Sequence, residues 1–272
     1  MITKRAAIFC AVLMAICLSP NLAAAKNLKL AAHSAILMDM TTGRVLFTQN
    51  PNTPIQPASI TKVLTLYLAD EAIRDGRVRP GDPVKISRKA ERTRGSKMFV
   101  EAGSEILLEE LLKGVAVVSA NDASVAVAEH IGGSVERFVA QMNRTARALG
   151  MTRSAFRNPN GLPAKGQVTT ARDMLILAQE YLQRFPEALE IHSQRQFTYR
   201  AITQHNRNVL LERYPSVDGI KTGWVRKAGY HIVATAKRGN TRLIAVVMGA
   251  KTPAIRARET EKLLDEGFRL VG

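Results

Sequence analysis

Two short runs of apolar residues, 35–39 (AILMD) and 44–48 (RVLFT), flank Thr41-Thr42-Gly43 and predict a β-hairpin early in the chain. The apolar positions then switch to helical spacing. Pro54 and Pro57 open a helix over 58–74, which Gly76 and Pro80 end. Helical periodicity continues over 108–118, 122–131, 135–149 and 171–184. Ser134 and Thr169/Thr170 stand in N-cap positions, and Gly150 lies just past a helix end. The segments 81–104 and 151–168 are rich in polar and turn-forming residues, and the second reads as a long surface loop. Strand patterns return at 196–199, 230–236 and 243–248, and a last helix is predicted over 254–268. Strands at both ends with helices between them predict an α/β layer interrupted by an all-helical insertion. There is no internal repeat, and no linker long enough to mark an independent second domain.

The first residues read as an address. Lys4 and Arg5 precede an uncharged run over 6–18, followed by Ser19-Pro20 and Ala23-Ala24-Ala25, the pattern of a cleaved secretory signal. Cleavage after Ala25 leaves residues 26–272 without cysteine, since Cys10 and Cys17 leave with the signal. Bulky Ile16 and Phe9 before those cysteines argue against lipid attachment. An exported chain without disulfides suits a bacterial periplasm or wall space, and no stable membrane anchor is expected once the signal is removed.

Among the 272 residues, 39 Lys plus Arg against 23 Asp plus Glu give a net charge of +16. Six cations fall within 85–97, opposed there only by Glu91. The run has no interleaved aromatics and the signal exports the chain, so nucleic acid is not the expected partner. A solvated loop or a cleft rim facing anionic wall polymer fits better. The five histidines show no metal-ligand spacing, so neither a metal nor a cofactor is expected. No Gly-x-Ser-x-Gly elbow occurs.

Three short motifs carry the candidate chemistry. In Ser59-Ile60-Thr61-Lys62, residues three apart on one helix face bring the Lys62 amine to the Ser59 hydroxyl, and the helix N-terminus favours a developing alkoxide. Alone this is weak, because about 0.6 Ser-x-x-Lys matches arise by chance in this composition. Ser119-Ala120-Asn121 sits between two predicted helices and on its own reads equally well as capping. Lys221-Thr222-Gly223 is rarer, at about 0.07 chance matches, and offers a charge and a hydroxyl to an anion, although an exposed lysine in a turn is the plainer reading. All three in this order match the active-site set of penicillin-binding proteins and class A β-lactamases.

On these motifs the chain resembles the serine-type D-alanyl-D-alanine carboxypeptidase family of low-molecular-mass penicillin-binding proteins. Further similar stretches are 57–62, 114–123, 166–174, 206–208, 217–223 and 249–262. The resemblance implies a penicillin-binding-protein/β-lactamase-like transpeptidase fold of the α/β class, with an antiparallel sheet flanked by helices and an all-helical subdomain near 80–165. Residues 26–272 are expected to form one catalytic domain. It also implies that Ser59 is the nucleophile, Lys62 its base and Ser119 a proton relay. Asn121, Lys221, Thr222, Gly223, Trp224, Arg256 and Ser96 would bind substrate, with backbone N–H groups of Ser59 and Trp224 as the oxyanion hole.

The implied partners are peptidoglycan stem peptides ending in D-Ala-D-Ala, and β-lactams as covalent inhibitors. Relatives often continue into a second domain and an amphipathic anchor, whereas this sequence ends at Gly272, so a single-domain soluble form is expected. Trp224 departs from the His, Thr or Ser that many relatives carry after Lys-Thr-Gly. Three other readings stay open: a D,D-endopeptidase, a β-lactamase, and a non-enzymatic wall-peptide or β-lactam sensor. The β-lactamase reading lacks its deacylating glutamate motif, because 151–190 offers only Glu180, Glu187 and Glu190.

Overall fold

The computed structural model describes residues 28–272; the signal segment 1–25 lies outside the described residues. Five strands form one antiparallel sheet: β1 (Ser34–Asp39), β2 (Arg44–Gln49), β3 (Val217–Val225), β4 (Gly229–Arg238) and β5 (Thr241–Ala250), in the order β2-β1-β5-β4-β3. The first hairpin therefore lies at one edge and β3 at the other. Sequence patterning found β1, β2, β4 and β5 to within a few residues. It missed β3, whose Asp218, Gly219, Lys221 and Gly223 dilute the alternation.

Both faces of the sheet are covered, which is why its strands read as nearly continuous apolar runs. Ile36, Met38, Val233, Ile244, Val246 and Met248 belong to the larger core, with Val63, Leu64 and Tyr67 of α1 (Lys62–Arg74) and Met174 and Leu177 of α5 (Ala171–Arg184). Their neighbours Ala35, Leu37, Ile232, Ala234, Leu243, Ala245 and Val247 pack on Leu263, Leu264 and Phe268 of α6 (Pro253–Val271). This alternation is the period of two expected of a sheet buried on both sides.

Between β2 and β3 the chain builds the helical part. It comprises α2 (Leu108–Ala116), α3 (Asn121–Gly132) and α4 (Val135–Ala148), whose buried side chains continue the larger core. The helix starts are set by local chemistry. Ser134, Thr170 and Thr252 accept hydrogen bonds from the backbone N–H groups of Arg137, Asp173 and Ile255, and Pro253 occupies the first turn of α6. A buried polar chain ties α1 to the edge strand. Tyr181 donates its hydroxyl to Asp70 at 2.8 Å and lies 3.3 Å from His192 Nε2, while His192 Nδ1 meets the Ile220 carbonyl at 2.9 Å. Burial lowers His192 to about 3, so it is neutral and Nδ1 carries the proton. Among the described residues no helix is long and apolar enough to cross a membrane.

Two expectations are corrected. The polar, turn-rich reading of 81–104 overlooks the strand Pro83–Lys85, which pairs with Glu105–Leu107, and a short helix at Arg88–Arg92. The 151–168 segment is not a surface loop throughout, since Pro159, Asn160 and Gly161 are buried. Their backbone is turned inward onto α1, where the Thr65 hydroxyl donates to the Pro159 carbonyl at 2.6 Å.

Candidate active site

Ser59 lies on a 3-10 turn, Ala58–Thr61, that leads into α1, rather than in the first turn of the α-helix itself. In a 3-10 turn, residues three apart eclipse one another, so Lys62 lies over Ser59 more directly than α-helical geometry allows. Its Nζ is 3.0 Å from Ser59 Oγ, 2.7 Å from Asn121 Oδ1 and 2.6 Å from the Asn160 carbonyl oxygen. Lys62 is completely buried. Burial first, then the Lys221 charge, hold its amine well below the ordinary lysine range, and buried Asp122 opposes them only in part. A neutral amine has two N–H bonds and one lone pair. The Asn121 and Asn160 oxygens are acceptors only and take both N–H groups. Once the amine is neutral, its lone pair is therefore free to take the Ser59 proton across 3.0 Å.

The segment before the nucleophile is held in an unusual conformation. Ala58 has φ +50°, the left-handed region that non-glycine residues seldom occupy. Gly161 lies against it: a Cβ on Gly161 would sit 1.9 Å from the Ala58 carbonyl oxygen. On the opposite side Gly223 of β3 reaches the same turn, where a Cβ would be 3.0 Å from the Ser59 amide nitrogen and 3.1 Å from that of Ile60. The edge strand and the nucleophile's amide thus approach with no side chain between them.

Ser119 also has φ +63°. Its side-chain oxygen is buried and has no hydrogen-bond partner, although it lines the same cleft as Ser59. Asn121 does not cap α3; Ala120 occupies the N-cap position without a side-chain bond. The Asn121 amide donates instead to the Arg94 carbonyl at 2.7 Å, and its backbone N–H to the Ser96 carbonyl at 2.7 Å. Asp122 fixes the rest of this loop by accepting from the N–H groups of Met98, Phe99 and Val100 at 2.9–3.2 Å. Ser96 is thereby brought to the cleft.

Lys221 lies on β3 and is buried, so the turn reading fails. Its amine is lowered to about 7 by burial and by the charges of Arg256 and Arg207. Arg256, on α6, is buried with one guanidinium nitrogen unpartnered, and burial lowers it to about 10. Three cations crowded without a carboxylate among them form a site prepared for an anion. The enclosing cleft has a volume of about 400 Å³ and holds Ser59, Ser96, Ser119, Thr222, Trp224 and Arg256 together. Every candidate side chain except Asn121, Lys62 and Lys221 lines it directly, and those three support it from beneath. No Asp or Glu lines the cleft among the described residues.

Motif reading missed Asn160, Asp122 and Arg207. Asn160 acts through its backbone oxygen, which no residue-type pattern reports, although Asn158-Pro159-Asn160-Gly161 is a strong turn signal. The basic run at 85–97 is also partly consumed internally. Lys89 pairs with Glu136 at 2.9 Å, and Lys97 donates to the Glu91 carbonyl at 2.6 Å.

This geometry has counterparts among known proteins. The D-alanyl-D-alanine carboxypeptidase model matches residues 21–252. The chain belongs to this family. It is 43% identical over 242 residues to D-alanyl-D-alanine carboxypeptidase DacF of Bacillus subtilis (strain 168), covering 87% of this chain and 62% of that protein. It is 42% identical over 245 residues to DacC of Escherichia coli (strain K12), covering 88% of this chain and 61% of the relative. The chain therefore spans about three fifths of the length of these carboxypeptidases. Penicillin binding protein 5 from Haemophilus influenzae superposes with a TM-score of 0.87 at 40% identity, over 89% of this chain and 72% of that structure. Penicillin-Binding Protein D2 from Listeria monocytogenes, in its ampicillin-bound form, gives 0.81 at 29% identity over 89% of this chain and 99% of that one.

Proposed function

We propose that this member of the carboxypeptidase family is a serine D,D-carboxypeptidase that removes the terminal D-Ala from peptidoglycan pentapeptides. The observation that carries the reading is the buried Lys62 amine, 3.0 Å from Ser59 Oγ and held well below the ordinary lysine range by burial and the Lys221 charge, beside a cationic cluster. Lys221, Thr222 and Arg256 take the substrate's terminal carboxylate, and Asn121 and Ser96 border its backbone.

Lys62 accepts the Ser59 proton as Oγ bonds to the penultimate carbonyl carbon. The oxyanion forms against the backbone N–H groups of Ser59 and Trp224, where Gly223 leaves room for it. On collapse the C–N bond breaks, and the proton held on Lys62 passes through the Ser119 hydroxyl to the departing amine. Water then adds to the acyl-enzyme with its proton taken along the same path, and the product acid leaves with Ser59 restored. Because no carboxylate among the described residues lines the cleft to activate that water, β-lactam adducts are expected to be long-lived, which disfavours the β-lactamase reading. The ampicillin-bound form of the Listeria relative supports β-lactams as ligands of this fold.

The catalytic unit is residues 26–272 after export to the periplasm or wall space, with the helical part near 80–165 forming one wall of the cleft. Cleavage of D,D cross-links is the second reading. It is supported by 29% identity to the D-alanyl-D-alanine endopeptidase of Pseudomonas aeruginosa over 251 residues, 79% of that protein. Mass spectrometry of pentapeptide monomers and cross-linked dimers incubated with the chain decides between them. Loss of one D-Ala from monomers supports the carboxypeptidase, and conversion of dimers to monomers the endopeptidase. Turnover that persists in Ser59→Ala refutes the nucleophile.

A further inference from the structure

We propose that Trp224 and Tyr230 form the subsite for the departing residue and, while admitting D-Ala, favour a residue whose side chain extends beyond a methyl group. The inference rests on the serine peptidase reading above and names the substrate class that the site prefers. Trp224 is the only tryptophan and is 55% exposed, on an otherwise buried stretch of the edge strand. A ring that large held in water beside a nucleophile is a surface awaiting a partner. Trp224 stands directly opposite Tyr230 of β4, with ring centroids 5.8 Å apart and planes inclined by 33°. The two rings make one tilted shelf. Val209, 41% exposed, and Pro253 carry the apolar wall further.

Position along the wall identifies the occupant. Gly223, the residue before Trp224, comes against the Ser59 turn, and Trp224, Tyr230 and Arg256 line one cleft with Ser59. The shelf therefore flanks the stretch of cleft that holds both the nucleophile and Arg256. A peptide with its scissile carbonyl at Ser59 and its carboxylate at Lys221 and Arg256 has only its last residue in that stretch. Methyl covers little of two aromatic rings, whereas an aliphatic or aromatic side chain covers both. The chemistry selected is a D-amino acid with a free α-carboxylate and an extended side chain. That residue is either a bulky chain terminus or the D-centre of a diamino acid through which a second peptide strand is cross-linked.

The test uses N-acylated peptides ending in D-Ala-D-Xaa, with Xaa as D-Ala, D-norvaline, D-Leu or D-Phe, together with a cross-linked dimer. Each methylene buried on the shelf is worth about fourfold in specificity. With about half of the three carbons that D-Leu adds to D-Ala covered on an open shelf, the ratio of kcat/KM for D-Leu or the dimer to that for D-Ala should reach about tenfold. It should collapse towards one in Trp224→Ala and fall in Tyr230→Ala, and being a ratio it is insensitive to a general loss of activity. In the Ser59→Ala chain, fluorescence of the single tryptophan should shift to the blue on adding the bulky peptides, with Kd tightening along the series. A flat series in the unmodified chain, ratios unchanged by Trp224→Ala, or a tryptophan indifferent to bulky peptides would overturn the proposal. Absence of D-Ala hydrolysis would remove the carboxypeptidase reading, while the fluorescence series still decides the subsite. A preference for either the bulky terminus or the dimer supports the shelf and identifies the source of the departing residue.

Discussion

Replacing Gly161 by alanine tests how the nucleophile is held. At φ +83° an alanine pays a left-handed backbone cost of about 1–2 kcal/mol. Its Cβ would also lie 1.9 Å from the Ala58 carbonyl oxygen and 2.4 Å from the carbonyl carbon, against an ordinary contact of about 3.3 Å. Something must therefore move by more than an ångström, and both available partners are parts of the site. One is the Ala58-Ser59 backbone; the other is the Asn160 carbonyl that binds Lys62 at 2.6 Å. Overpacking adds about 1–3 kcal/mol, for a total near 2–5 kcal/mol and a Tm lower by about 5–15 °C. A misplacement of this size costs roughly 10²-fold in rate.

The assay is acylation by a fluorescent penicillin, read beside a thermal melt. Gly150→Ala is the control: φ there is +85° and a Cβ meets nothing within 4 Å, so it carries the backbone cost alone and should acylate normally. If Gly161→Ala acylates within threefold of the unmodified chain while melting lower, the loop does not position the nucleophile and the argument fails.

Three further outcomes are expected. Lys221 is a cation only below about 7, so kcat/KM for a peptide with a free carboxylate should fall as pH rises through 7; a plateau up to pH 9 would contradict its role as anion site. Arg256→Gln should raise KM for D-Ala-D-Ala peptides by about tenfold, as expected for loss of one charge-assisted contact, and the difference should vanish for peptides ending in an amide. Asp70 is raised to about 6 by burial, so its folded state holds a proton that the unfolded chain releases from about 4 upwards. Stability therefore falls as pH rises through this window. Urea unfolding of the unmodified chain relative to Asp70→Asn should show a gain of about 1 kcal/mol between pH 7 and pH 5, and an identical pH response in the two chains would refute it.

The sequence by itself determined much of the frame, because local chemistry is sufficient there. The turn of Thr41-Thr42-Gly43, the caps Ser134 and Thr170, and the apolar runs of β1, β4 and β5 are each read within about a turn of chain. The pairing of Ser59 with Lys62 was legible for the same reason, being three residues apart on one helical segment. Only the tertiary structure decided what surrounds that pair. Lys221 was expected to bind substrate, but its place on β3, the sheet edge against which the Ser59 turn is packed, came only from the fold. The 158–162 segment read as solvated loop until its backbone oxygens proved to be acceptors for Lys62 and Thr65. Residue type says nothing about a carbonyl contributed from 98 positions away. It equally says nothing about the burial that moves Lys62 and Lys221 towards neutrality. Both effects come from desolvation and from charges brought together by folding, which a pattern along one chain does not record.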